Sequence, residues 1–203
     1  MIKSLYWAML SAIGLTAGVA SALLVGDPVS KVVGMMLVTP ILTGLVGTML
    51  GAAQLVPLRQ LARVSAAKWL LATALGLGAG LAAGVVLVEQ TGRLVTGVQV
   101  HVLQLGTPAR ALSFAVVGLV SGALLGLAQS LVLRTSFPRL RHWAANSSLA
   151  LAAGFATASL LVDAVIGRGL SSPFGLVTFL LASGALYGTL TSRPLRRAAA
   201  DLG

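Results

Sequence analysis

Between Trp69 and Glu89 the chain reads WLLATALGLGAGLAAGVVLVE, an uncharged run ended by an acid. A bilayer core about 30 Å thick takes roughly 20 residues of α-helix, which is the length of this run. It is too long for a strand and shows no alternation of polar and apolar faces, so a membrane-spanning helix is predicted. Two other stretches have the same form: Trp7–Asp27, WAMLSAIGLTAGVASALLVGD, and Trp143–Asp163, WAANSSLALAAGFATASLLVD. In each, a hydroxyl follows the Trp by four residues: Ser11, Thr73 and Ser147. Small residues follow by seven, eleven and fifteen: Gly14, Gly18 and Ala22; Gly76, Gly80 and Gly84; Ala150, Gly154 and Ala158. The terminal acids, Asp27, Glu89 and Asp163, are three of the four acids in the chain.

Between these stretches lies a second repeating pattern, Gly-x3-Gly-x2-polar-x4-Arg. It reads Gly47, Gly51, Gln54, Arg59; then Gly122, Gly126, Gln129, Arg134; then Gly184, Gly188, Thr191, Arg196. Six spans result, near 4–26, 32–58, 69–88, 111–133, 143–162 and 174–192. The predicted fold is all-α and polytopic: six transmembrane helices forming three helical-hairpin repeats of the same orientation, arranged as a pseudo-threefold bundle. They make a single integral membrane domain, with repeats at about 1–62, 63–138 and 139–203. Ala20-Ser21-Ala22 has the small-x-small form of a signal-peptide cleavage site, but the match of the first span to two internal ones argues for a retained helix.

Composition agrees. The 203 residues are 57% hydrophobic and 9% charged, with mean hydropathy +0.98, whereas soluble domains carry roughly 25% charged residues. A formal charge of +10 would suggest nucleic acid in a soluble protein; here it reads as a topology signal. With the N-terminus inside, ten cations (Lys3, Arg59, Arg63, Lys68, Arg134, Arg139, Arg141, Arg193, Arg196, Arg197) face the cytoplasm and four (Lys31, Arg93, Arg110, Arg168) face out. The positive-inside rule then places both termini in the cytoplasm of a bacterial inner membrane. Membrane lipids are the expected contacts, and no nucleic-acid partner is expected. The absence of Cys excludes disulfides and thiolate chemistry.

Small residues three or four apart share a helix face and let backbones approach closely, so Gly14, Gly18, Gly47, Gly51, Gly76, Gly80, Gly84, Gly122, Gly126, Gly154, Gly184 and Gly188 are read as packing positions. Ser11, Gln54, Thr73, Gln129, Ser147 and Thr191 fall at similar depth and form a candidate polar layer of interhelical hydrogen bonds. Trp7, Trp69 and Trp143 read as interface anchors. Pro40 interrupts the second span and predicts a kink, with Thr39 near the freed carbonyl. An acid and then a base follow each odd helix, Asp27 with Lys31, Glu89 with Arg93 and Asp163 with Arg168, a candidate external ring of ion pairs. Hydrated, weakly paired anchors are the plainer reading of the same residues.

Catalytic constellations are missing from the sequence. His101 and His142 fall in loops on opposite sides, so no metal site is expected. Gly76-x-Gly78-x-Gly80 lies inside a span with no preceding strand, which makes it a packing run and not a nucleotide loop. The second repeat carries an external insertion, 94–106, in which Val98-Gln99-Val100-His101-Val102 alternates at strand period. Val98–Leu105 is therefore the candidate contact for a membrane-protein partner.

The runs Gly122-Ala-Leu-Leu-Gly126-Leu-Ala-Gln129-Ser-Leu-Val-Leu-Arg134 and Gly184-Ala-Leu-Tyr-Gly188-Thr-Leu-Thr191 resemble segments of small multi-pass proteins of photosynthetic and related bacteria, most of them uncharacterised. The resemblance implies an integral membrane protein without catalytic residues, associated with a bioenergetic complex. The functional expectation is a non-enzymatic accessory or scaffold subunit of a larger membrane complex, with structural lipid or pigment in the seams between helices as the cofactor class left open. The alternative is a small transporter or channel gated by the external acid/base ring. A water-filled axis would favour transport, and a packed axis a subunit.

Overall fold

The computed structural model describes residues 4–33, 35–61, 64–97, 101, 105–134, 136–137, 140, 142–166 and 172–200. Among them are six helices and no strand: α1 (Ser4–Val33), α2 (Met35–Leu61), α3 (Ala66–Thr96), α4 (Thr107–Leu133), α5 (Trp143–Ile166) and α6 (Pro173–Ala200). All six are long and apolar enough to cross a membrane, and the chain is a multi-pass membrane protein. At 24 to 31 residues the helices are about 36–46 Å long, enough to cross the hydrocarbon core and enter both headgroup regions. This explains why most run past the ends of the apolar stretches. α3 continues eight residues beyond Val88 and stops at Gly97, whose φ of 70° lets its N–H bond the Arg93 carbonyl. A Cβ at that φ would be strained. α2 runs helical through position 40; the Pro40 side chain lies outside the described residues.

Each helix packs on its neighbours in chain order, and α6 packs back on α1, closing a ring. The six junctions are built alike. Gly14 and Gly18 of α1 face the backbone of Leu50 and Val46 in α2, and Gly47 of α2 faces Thr73 and Ala74 in α3. Gly76, Gly80 and Gly84 of α3 face Leu125, Ser121 and Val117 in α4, while Gly118, Gly122 and Gly126 of α4 face Leu151, Ser148 and Ala144 in α5. Gly154 of α5 faces Ser183 in α6, and Gly184 and Gly188 of α6 face Ala12 and Ala8 in α1. These pairings run in opposite directions along the two chains, so adjacent helices are antiparallel. Lipid tails give apolar helices no hydrophobic reason to associate, so close backbone contact through dispersion takes over that role.

The outside of the ring is lipid-facing. Leu24 is 81% exposed, Leu75 62% and Leu149 64%, whereas every residue of the candidate polar layer is fully buried. At Gly80 and Gly184 the seams leave no room for another molecule, since a single added carbon there would already lie 2.5 Å from a neighbouring Cα.

Candidate functional site

The candidate site is the polar layer, one turn inside the end of the bundle that carries the three tryptophans. Gln54 on α2 donates from Nε2 to Ser11 Oγ on α1 at 3.2 Å. The equivalent bond in the next hairpin runs from Gln129 Nε2 on α4 to Thr73 Oγ1 on α3, also at 3.2 Å. Gln129 Nε2 also lies 3.4 Å from Gln54 Oε1, joining the two hairpins. In the third hairpin Thr191 stands where the others have Gln, and its side chain is too short to repeat the bond. Its hydroxyl instead donates to the Tyr187 carbonyl of its own helix at 2.8 Å. The Tyr187 hydroxyl points to Gln129 Oε1 at 3.5 Å. Ser147 is fully buried, with Gly126 packed on its side chain. The structure thus brings Ser11, Gln54, Thr73 and Gln129 into one network, with Thr191 and Ser147 at its edge.

Trp7, Trp69 and Trp143 differ from the headgroup-level anchors expected of them. They are the three largest fully buried side chains, and each donates its indole N–H into the even helix beside it: to Thr191 Oγ1 at 3.0 Å, to the Gly51 carbonyl at 3.1 Å and to Gln129 Oε1 at 3.1 Å. The reason is positional. A Trp at i, a hydroxyl at i+4 and a small residue at i+7 share one helix face, and that face is the packing face. A ring so enclosed presents nothing to a headgroup.

On either side of the polar layer most buried side chains are apolar, with Ser121, Ser159 and Ser183 buried among them toward the acid-bearing end and Ser192 toward the Trp end. One turn toward the acid-bearing end, each helix contributes one buried side chain to a single cluster: Leu15, Leu50, Leu77, Leu125, Leu151 and Tyr187. At the Trp end, Leu58, Leu133, Leu195 and Phe137 pack with the indoles in a second cluster. The polar groups therefore sit between two largely apolar layers.

No family model, curated protein or solved structure matches this chain.

At the opposite end the described residues include one close ion pair that spacing along a single helix does not predict. Asp163, at the end of α5, is bound by the Arg110 guanidinium from the first turn of α4, and both side chains are 13% exposed. Its expected partner, Arg168, lies outside the described residues, two positions past the end of α5. Glu89 lies 3.6 Å from His101 Nδ1, a contact between partly exposed side chains. The side chains of Asp27 and Lys31 lie outside the described residues, as does most of Val98–Leu105. Among the described residues no three His, Cys, Asp or Glu side chains gather into a metal-binding group.

A buried ion pair is costly to half-remove, because the surviving charge is left unpaired in a low-dielectric site. We expect Asp163→Ala to lower stability in mild detergent by about 2 kcal/mol, less than a fully buried pair because water still reaches its edge. The double variant Arg110→Met/Asp163→Leu, which removes both charges, should recover most of that loss, and thermal unfolding of the wild type, Asp163→Ala and the double variant would measure it.

Sequence reasoning missed Tyr187 and Arg110. Tyr187 could have been found: counting from Gly51, Gly126 and Gly188, its register partners are Leu50 and Leu125, so a hydroxyl stands on the helix that carries Thr191 in place of Gln.

Proposed function

We propose that the protein is a non-enzymatic accessory or scaffold subunit of a larger bacterial cytoplasmic-membrane complex, built of three hairpin copies with both termini in the cytoplasm. What carries this reading is the enclosure of the polar layer between two largely apolar layers. Ser11, Gln54, Thr73 and Gln129 are engaged with one another and Thr191 with Trp7 and its own helix, while the buried Ser147 hydroxyl is left without a partner; a lone hydroxyl with no base beside it is not an activated nucleophile. Next to the layer, Leu15, Leu50, Leu77, Leu125, Leu151 and Tyr187 belong to one buried cluster, which favours a packed interior over an open path. The acid-bearing end adds one observation in favour of the same reading: Asp163 is bound by Arg110 of the neighbouring helix, a contact that ties α5 to α4.

A scaffold must offer its outside to something, and the candidate contact is the insertion at 94–106. Purification from the native membrane in gentle detergent, with mass spectrometry and an absorption spectrum of the same fraction, is expected to yield a stoichiometric membrane-protein partner that is lost on deleting residues 94–106. A protein that purifies alone and carries a substrate across liposomes would contradict the proposal.

A further inference from the structure

Two clefts of similar size open toward lipid at the Trp end, each between the two helices of one hairpin. One lies between α3 and α4 and has a volume of about 560 Å3; the other lies between α5 and α6 and has about 530 Å3. In the register that pairs Trp69 with Trp143 and Gln129 with Thr191, their linings correspond: Leu75 with Leu149, Ala128 with Leu190, Leu131 with Arg193. The second cleft differs in charge. Lys68 is the single cation lining the first, whereas Arg193, Arg197 and His142 line the second together with Asn146. All three basic side chains are exposed and Asn146 is half-buried. No acid lines the cleft; Asp27, Glu89 and Asp163 belong to the other end of the bundle, and Asp201 lies outside the described residues.

We infer that the α5/α6 cleft is a binding site for one anionic glycerophospholipid. The size lies within the range of small-molecule sites, roughly 300–1,000 Å3. Two guanidinium groups offer paired N–H donors to phosphate oxygens, a geometry that lysine cannot copy. Leu149 and Leu190, 64% and 39% exposed, continue from the charged rim along the outer face of the helices, where an acyl chain would lie. Arg193 and Arg197 are four apart on α6 and so share a face, and His142 approaches from the start of α5. Charge at the rim with an apolar wall beneath matches a phospholipid with a net negative headgroup, and basic pockets between membrane helices recognise such headgroups. The site is independent of any partner protein.

The test uses the intact protein exchanged into mild detergent, with phosphatidylglycerol and phosphatidylcholine of identical acyl chains, and native mass spectrometry to count retained lipid. The wild type is expected to keep one phosphatidylglycerol with about tenfold preference over phosphatidylcholine. Arg193→Gln/Arg197→Gln should bring the two lipids to parity, while Lys68→Gln leaves the preference intact. Leu131→Arg, which moves the missing charge into the α3/α4 cleft, should add a second retained phosphatidylglycerol and guards against a double variant that simply misfolds. A wild type without preference overturns the inference, as does an equal loss on Lys68→Gln, which would mark general attraction to a basic rim. Capture of an acidic protein by these arginines, with no lipid retained, overturns it as well.

Discussion

Gly122→Ala is expected to destabilise the protein by about 3 kcal/mol, and Gly122→Val to abolish folding, although both keep the helix and add only apolar carbon. At Gly122 the first added carbon would run into the Ser147 carbonyl and lie 2.5 Å from the Ser148 Cα. These are backbone atoms, which cannot rotate aside as a side chain would. Relief therefore requires moving α4 away from α5, and that separates Gly118 and Gly126 from their contacts along the same seam. The control is Gly44, where nothing lies within 4 Å of the added carbon. There alanine should be neutral or stabilising by roughly 0.5–1 kcal/mol through its helix propensity. Thermal unfolding of both variants in the same detergent checks the pair, and similar losses at Gly44 and Gly122 would show that the seam is not closed as described.

Gln129→Leu is expected to be the most damaging single change in the polar layer, with a loss of roughly 3 kcal/mol. The magnitude needs argument, because one interhelical hydrogen bond in a membrane is worth only about 0.6 kcal/mol. Gln129 holds several at once. Its amide nitrogen serves Thr73 and Gln54, and its oxygen accepts from Trp143 and faces Tyr187. Leucine of similar size leaves the Trp143 N–H without an acceptor in a site that water does not reach, and each such orphaned group costs about 1–3 kcal/mol. By contrast Thr73→Val removes one acceptor while Gln129 keeps its other partners, and should cost only about 0.6 kcal/mol. Stability measurements on both variants would separate a connected network from independent bonds, which predict similar costs.

The six helices and the placement of the glycines were legible because both depend on local rules: span length, and small residues recurring on one face. The polar layer was legible in depth, since Gln54 and Ser11 can be counted inward from Arg59 and Trp7. Its wiring was not. That Thr191 would turn to its own backbone and Tyr187 fill the vacancy depends on side-chain reach across three helices. The burial of the tryptophans is not visible from their position alone, because Trp at a helix end reads as a headgroup anchor. The i, i+4, i+7 alignment of Trp7, Ser11 and Gly14 held the correct signal. The pairing of Asp163 with Arg110 could not be read from spacing along one helix, because it joins the last turn of α5 to the first turn of α4, 53 residues earlier.

A polar layer enclosed by packed side chains should be closed to water from both sides, and the absence of cysteine makes that directly measurable. Ser11→Cys, Thr73→Cys and Ser147→Cys each place a single thiol in the layer with little change of volume. His142→Cys and Thr96→Cys, at exposed positions near the two ends, report that the reagent has access. In sealed vesicles exposed to a small, charged thiol reagent from each side in turn, the end positions should react and the three layer positions should not. Reaction at Ser11→Cys, Thr73→Cys or Ser147→Cys from either side, in a variant that remains folded, would reveal an aqueous path into the bundle and contradict the account.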